Sequence, residues 1–166
     1  MTTTYRIDPA ETLTIRSNTT DLLEMEATFE PGGHPPPKHW HPDQDEHFEV
    51  LEGTLTAVVG SRQLSLRAGE TLDIPRGTVH AMWNAGTERA RVRWEVRPAG
   101  RTEQWFASIA AVRAAHGKPG VLAYAVLLTE FRYVFRPVLP AAPVARVLLA
   151  ALAPIGRLRG YRALGR

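Results

Sequence analysis

Residues 33–53 run Gly33-His34-Pro35-Pro36-Pro37-Lys38-His39-Trp40-His41-Pro42-Asp43-Gln44-Asp45-Glu46-His47-Phe48-Glu49-Val50-Leu51-Glu52-Gly53, and their reading decides the fold. By spacing this is Gly33-x5-His39-x-His41-x4-Glu46-x6-Gly53, answered after residues 54–68 by Gly69-x5-Pro75-x-Gly77-x2-His80-x3-Asn84. Side chains alternate faces along a strand, so His39 and His41 share one wall at roughly 7 Å spacing while Trp40 points away. Pro42-Asp43-Gln44-Asp45 has turn composition, and the run after it can return antiparallel to set Glu46 beside both histidines. The Pro/Gly turn Ile74-Pro75-Arg76-Gly77-Thr78 ends one strand and begins another, which delivers His80 as a fourth ligand. Three imidazoles and one carboxylate suit one divalent transition metal ion, Fe, Mn, Co, Ni, Cu or Zn, and not calcium. One His-x-His pair on a polar loop would be unremarkable, but here both glycine-bracketed halves are complete.

The two halves resemble the paired motifs of the cupin superfamily, in the form of a bacterial single-domain cupin. The likeness covers residues 33–84 closely and, by continuity of the strand pattern, about 11–98; it does not reach the C-terminal third. It implies a mainly β fold, a jelly-roll barrel with His39, His41, Glu46 and His80 binding the metal at the bottom of its pocket and with the glycines and Pro75 shaping turns. It also implies that Glu46 can loosen its metal bond and act as a catalytic base. No reaction follows from the likeness, because the superfamily spans dioxygenases, isomerases, epimerases, decarboxylases, cyclases, storage proteins and sensor domains.

Outward from the motifs the period is two. Leu13 and Ile15 alternate with polar residues, as do Leu23, Met25, Ala27 and Phe29; Leu55 to Val59 and Leu64 to Leu66 flank a Gly60 turn as a hairpin. In residues 89–97, Ala90, Val92, Trp94 and Val96 face inward and arginines outward, which closes the sheet. That arginine row lacks aromatic interleaving or any nucleic-acid motif, so a solvated strand is expected and no nucleic-acid partner. Parity sends Phe48 and Val50 to the face of Glu46, and Met82 to that of His80, so these three are the expected substrate-binding wall. His47 falls on the outer face, and His34 reads as a loop residue. An apolar wall favours a small, largely apolar or aromatic molecule with a chelating oxygen pair over a sugar phosphate. The expected activity is that of an oxygenase or dioxygenase, or of a Lewis-acid isomerase or cyclase; the alternative is a non-catalytic binder or sensor of small molecules. Hydrolase and nucleotide-dependent chemistry have no motif to support them.

The chain has 166 residues and no cysteine, so disulfides and thiolate ligands are excluded. Residues 1–10 lack a period and read as an arm, with no apolar run of signal-peptide length behind them, and a cytoplasmic location is expected. Two regions are expected, a barrel with its arm over 1–100 and a helical extension over 101–166. Charge divides the same way, ten Lys/Arg against fifteen Asp/Glu in the first and ten against two in the second. Trp105, Ile109 and Val112 recur at helical spacing; Val121 to Phe135 is apolar on most sides; Pro143 opens a third segment with Val144, Val147, Leu148, Ala151, Leu152 and Ile155 on one stripe. These stripes need a partner surface, and the expected one is protein, the barrel or the helices of a second subunit in a homodimer. Contact of the basic helices with a membrane surface ranks below it.

Overall fold

A computed structural model of the chain describes residues 2–165. Alternation becomes strand wherever the sequence carries it: β1 (Thr4–Arg6), β2 (Glu11–Asn18), β3 (Leu23–Phe29), β4 (His39–Trp40), β5 (Asp45–Glu52), β6 (Thr54–Val59), β7 (Arg62–Arg67), β8 (Thr71–Ile74), β9 (His80–Trp83) and β10 (Ala90–Arg97). Then come α1 (Thr102–His116), α2 (Val121–Glu130), a two-residue strand β11 (Arg136–Pro137) and α3 (Ala142–Leu158). The strands form two antiparallel sheets, ordered β1-β2-β3-β10-β5-β8 and β11-β4-β9-β6-β7, whose inner faces meet as a jelly-roll barrel.

Strand β10 shows why the pattern folds this way. Its inward residues Val92 and Trp94 sit opposite Ala27 and Met25 of β3, all buried, so each cross-strand pair seals part of one core. On its outer face Arg91 pairs with Glu26 at 2.8 Å and Glu52 at 3.3 Å, and Arg93 pairs with Glu49 at 2.8 Å. Exposed pairs of this kind contribute about 0–1 kcal/mol each, but they neutralise the arginine row. The motif ends are pinned by backbone. Gly53 has φ +74° and a Cβ there would lie 2.3 Å from the Arg89 carbonyl oxygen, so only glycine fits. Asn84 donates from Nδ2 to the carbonyls of Phe29 and Glu88 and accepts from the Gly86 amide, holding the second motif to the end of β3.

The helices start where the period changes. Gln44, buried beside the first motif, donates to the carbonyls of Pro98 and Ala99 and to Thr102, tying the head of α1 to the barrel. Trp105, Phe106, Ile109 and Val112 of α1 join the barrel's apolar cluster. Helix α3 packs on α2 through small residues: a Cβ on Gly156 would meet the Leu122 carbonyl oxygen and Val126 Cγ2, both at 2.7 Å.

The arm forms a strand, β1 pairing with the chain's own β2, Thr4 opposite Thr14. One expectation is corrected. The second helix does not run to Phe135 but stops at Glu130; residues 131–134 turn and Arg136, in the extended conformation favoured before Pro137, joins β4. The stripe of α3 faces outward, with Val144 60% and Val147 69% exposed, because the opposite face, with Ala153 and Gly156, is the one that meets α2. No described helix is long and apolar enough to cross a membrane.

Candidate metal centre

The antiparallel pairing of β4 and β9 sets His39 opposite His80, and His41 lies just past the end of β4, where its carbonyl accepts the Gly77 amide at 2.8 Å. Glu46 enters from the other sheet on β5, paired with Ile74. Ring centroids of His39 and His80 are 4.4 Å apart, of His39 and His41 5.1 Å, and of His41 and His80 5.3 Å. One ligating atom from each of the three lies within 4.8 Å of the others. Glu46 completes the cluster, with Oε1 3.4 Å from His41 Nε2 and Oε2 3.1 Å from His80 Nε2.

What the ring nitrogens bind decides whether this cluster fits a metal. Nδ1 of each imidazole points at a backbone carbonyl: Pro37 for His39 at 3.1 Å, Val134 for His41, and Thr78 for His80 at 3.0 Å. A carbonyl only accepts, so each Nδ1 carries the proton and each Nε2 keeps its lone pair. Nε2 of His41, Nε2 of His80 and Oε2 of Glu46 are buried without a partner of hydrogen-bonding geometry. Buried polar atoms left in this state are costly, and a cation that all of them can bind removes the cost. The donor set therefore fits one divalent ion of nitrogen and oxygen preference.

Electrostatics keep His39 and His41 neutral around an ionised Glu46 and favour the protonated form of His80. Burial, helped by the charges of His80 and His41, pushes the pKa of His39 down to about 3. Burial also holds His41 below the usual histidine range, although Glu46 opposes it. His80 is raised, because its contact with Glu46 outweighs the burial that would lower it. Burial alone would raise Glu46, but the surrounding imidazoles, His41 foremost, keep it below the ordinary carboxylate range. Oε1 of Glu46 also accepts the indole N–H of Trp94 at 3.1 Å.

The other residues read as site candidates fall differently. Phe48 and Val50 are 2% and 1% exposed and belong to the packed core, the Phe48 ring 5.2 Å from that of Trp94. Met82 is half-buried on β9, opposite Ala57. His47 is on the outer face, as parity requires, with Nδ1 2.7 Å from Asp73 Oδ1.

The residues that the sequence did not reveal come from 131–138. This strap pairs along β4, Pro137 opposite His39 and the Val138 amide on the Lys38 carbonyl. It lays the Phe135 ring on His39, centroids 4.4 Å apart and planes 25° from parallel, while Trp105 of α1 stacks on the other side of Phe135 at 4.7 Å. Cavities of about 200 and 210 Å³ flank the strap, one walled by Phe135 and one by Val134, and neither is lined by the histidines. One signal was available: Pro137 disfavours helix at the residue before it, which argues against extending the helix through Phe135.

Comparison with known proteins follows the same boundary between barrel and extension. Residues 25–96 match the family described as cupin domain. A germin-like protein, subfamily T member 2, of Arabidopsis thaliana is 39% identical over 92 residues, 52% of this chain and 41% of its own. The tetracenomycin polyketide synthase protein TcmJ of Streptomyces glaucescens is 33% identical over 61 residues, 37% of this chain and 41% of its own. The chain thus spans less than half the length of either relative. Among solved structures, an RmlC-like cupin from Shewanella frigidimarina superposes with a TM-score of 0.55 at 18% identity, over 61% of this chain and 88% of that one. A domain match that runs through both histidine motifs, on a barrel of two antiparallel sheets, identifies residues 25–96 as a cupin domain.

Proposed function

We propose that this cupin binds one divalent transition metal through His39, His41, His80 and Glu46 and acts on a small, largely apolar or aromatic molecule that offers a pair of chelating oxygens. The observation that carries the reading is the set of three Nδ1–carbonyl contacts, which leave Nε2 of His41 and of His80 facing a buried carboxylate. A bound ion would supply Lewis acidity and, if redox-active, a route to dioxygen. The chain supplies the rest. Glu46, held ionised and anchored by Trp94, is placed to take a proton from a bound substrate. Phe135 and Trp105 offer an aromatic surface beside His39. Oxygenation, isomerisation and cyclisation all fit such a site, and the similarity to a polyketide synthase protein agrees with an aromatic or polyketone substrate. The cysteine-free composition suits a cytoplasmic setting.

A second reading has its own observation. The strap lies against His39 and His41, and His41 and His80 are 7% and 0% exposed, as suits a barrel that retains a small molecule without turning it over. One experiment separates the readings: the metal content of the purified protein, then oxygen uptake and product analysis with catechols and 1,3-diketones. Consumption that disappears in Glu46→Gln while metal remains supports the enzyme. Full metal occupancy in both His41→Ala and His80→Ala would refute the centre itself.

A further inference from the structure

Beside the strap, α2, β11 and α3 enclose a cavity of about 200 Å³ whose lining divides into two chemistries. Leu139, Leu149 and Phe135 are apolar, Arg132, Arg136 and Arg146 are cationic, and no carboxylate lines the space. Elsewhere the chain neutralises such arginines, and on β10 Arg91, Arg93 and Arg97 each meet a glutamate. Here they meet neutral groups or none. Arg132 donates to the Tyr133 hydroxyl at 3.3 Å, Arg136 donates from Nε to the Arg132 carbonyl at 2.6 Å, and Arg146 has no hydrogen-bond or ion-pair partner among the described residues. Burial, and then the charges of Arg146 and Arg132, hold the Arg136 guanidinium below the usual arginine range. Gathering three cations around a partly enclosed space costs free energy that an anion in that space recovers. On α3, Arg146, Leu149 and Ala150 fall at i, i+3 and i+4, so one helix face presents charge and apolar surface together.

We propose that this cavity is a binding site, separate from the metal centre, for a small amphiphilic oxyanion, an aryl or short alkyl carboxylate or phosphate ester. The arginines take its charged head, and its apolar body lies on Leu139, Leu149 and Phe135. The planar guanidinium fork matches carboxylate and phosphate oxygens alike. Volume sets the size of the body: about 200 Å³ is below the roughly 300–1,000 Å³ of sites for drug-sized molecules, so a single ring or short chain fills it. One residue joins the site to the centre. Phe135 lines the cavity and stacks on His39, centroids 4.4 Å apart, while Arg136 pairs with Trp40 of β4. A ligand held by Arg136 and Phe135 of the strap and by Arg146 and Leu149 of α3 fastens the strap to the helix. The inference does not depend on the metal chemistry.

The test is titration calorimetry of the full chain with benzoate and with phenyl phosphate, beside benzamide and inorganic phosphate, each with and without added zinc. At least one of the two amphiphilic anions is expected to bind, with or without zinc, and the tighter of them identifies the head group. Benzamide, which keeps the ring and lacks the charge, should bind about tenfold more weakly or worse, and inorganic phosphate, which lacks the ring, should also bind more weakly. Losing a guanidinium at an exposed position costs up to about fivefold in affinity, and losing the half-buried one about tenfold, so Arg136→Gln/Arg146→Gln should weaken binding about 50-fold. Ala150→Leu, at an exposed position on the cavity wall, should keep the thermal transition and block binding by filling the space. Binding of neither anion overturns the proposal, as does benzamide bound as tightly as benzoate. So does binding that appears only with zinc or survives both the arginine and the Ala150 variants, which would assign the anion to the metal centre or to another surface.

Discussion

Replacing Phe135 by alanine tests whether the strap covers the centre or merely lies near it. The ring is half-buried between His39 and Trp105, stacked on both. Full burial would make Phe→Ala cost about 3–5 kcal/mol; with the ring half-exposed, about 2–3 kcal/mol is expected. Lifting the strap must break the two ring contacts, worth about 0.5–1.5 kcal/mol each, so their loss should speed access to the ion by about 5- to 160-fold. The ligands themselves should be unaffected. Nδ1 of His39 keeps the Pro37 carbonyl and Nδ1 of His41 keeps that of Val134, neither of which involves the Phe135 side chain. The assay is a urea transition for stability, paired with the rate at which a bidentate chelator strips metal from the loaded protein and with the equilibrium affinity. Faster stripping at unchanged affinity is the expected result, and Phe135→Leu should fall between the variant and the native chain. A stripping rate that stays the same while stability drops as calculated would refute the covering role.

Further outcomes follow from the same geometry. With His39 and His41 held neutral and Glu46 ionised, metal binding near pH 6 should release about one proton, from His80, and affinity should fall about tenfold per pH unit below the raised His80 value; calorimetry in two buffers counts the protons, and a count of two or more contradicts the assignment. In the metal-free protein the unfolded chain takes a proton on His39 below about pH 6.5, while folded His39 refuses it down to about 3, so stability from this group falls as pH falls through that window. His80 acts in the opposite sense, its pairing with Glu46 counting fully below about pH 6.5 and fading above its raised value. Urea midpoints from pH 7 to 5 should drop less in His39→Asn than in the native chain. Trp94→Phe removes a buried hydrogen bond to a charged acceptor and should cost about 1.5–3 kcal/mol, with weaker metal binding as a second readout. Gly156→Ala should lower the melting temperature by separating α3 from α2, and an unchanged transition would show that the helices are not packed as described.

How far the sequence could be read depends on the range of each signal. The ligands lie within residues 39–80, where strand parity and two turns suffice to place them, and His47 was sent outward by the same parity that kept His39 and His41 together. Parity told that Phe48 and Val50 face inward but could not distinguish a cavity wall from a packed core. Amphipathicity showed that α3 has an apolar stripe, not which face would meet α2; the small residues Ala153 and Gly156, which let the helices approach closely, decided that. The strap lay beyond reach, since its contacts to His39 and His41 join residues that no local pattern relates.

The acceptor for His41 Nδ1 is the Val134 carbonyl, 93 residues further on. Closing a loop of that length costs about 4 kcal/mol of chain entropy beyond the constant for contact itself, so this contact belongs to the late stages of folding. During synthesis all four ligands emerge from the ribosome well before the residue that fixes one of their tautomers. An ion taken up by a barrel at that stage would meet His41 with its proton free to sit on either nitrogen, so full affinity is expected only after the strap has been laid down.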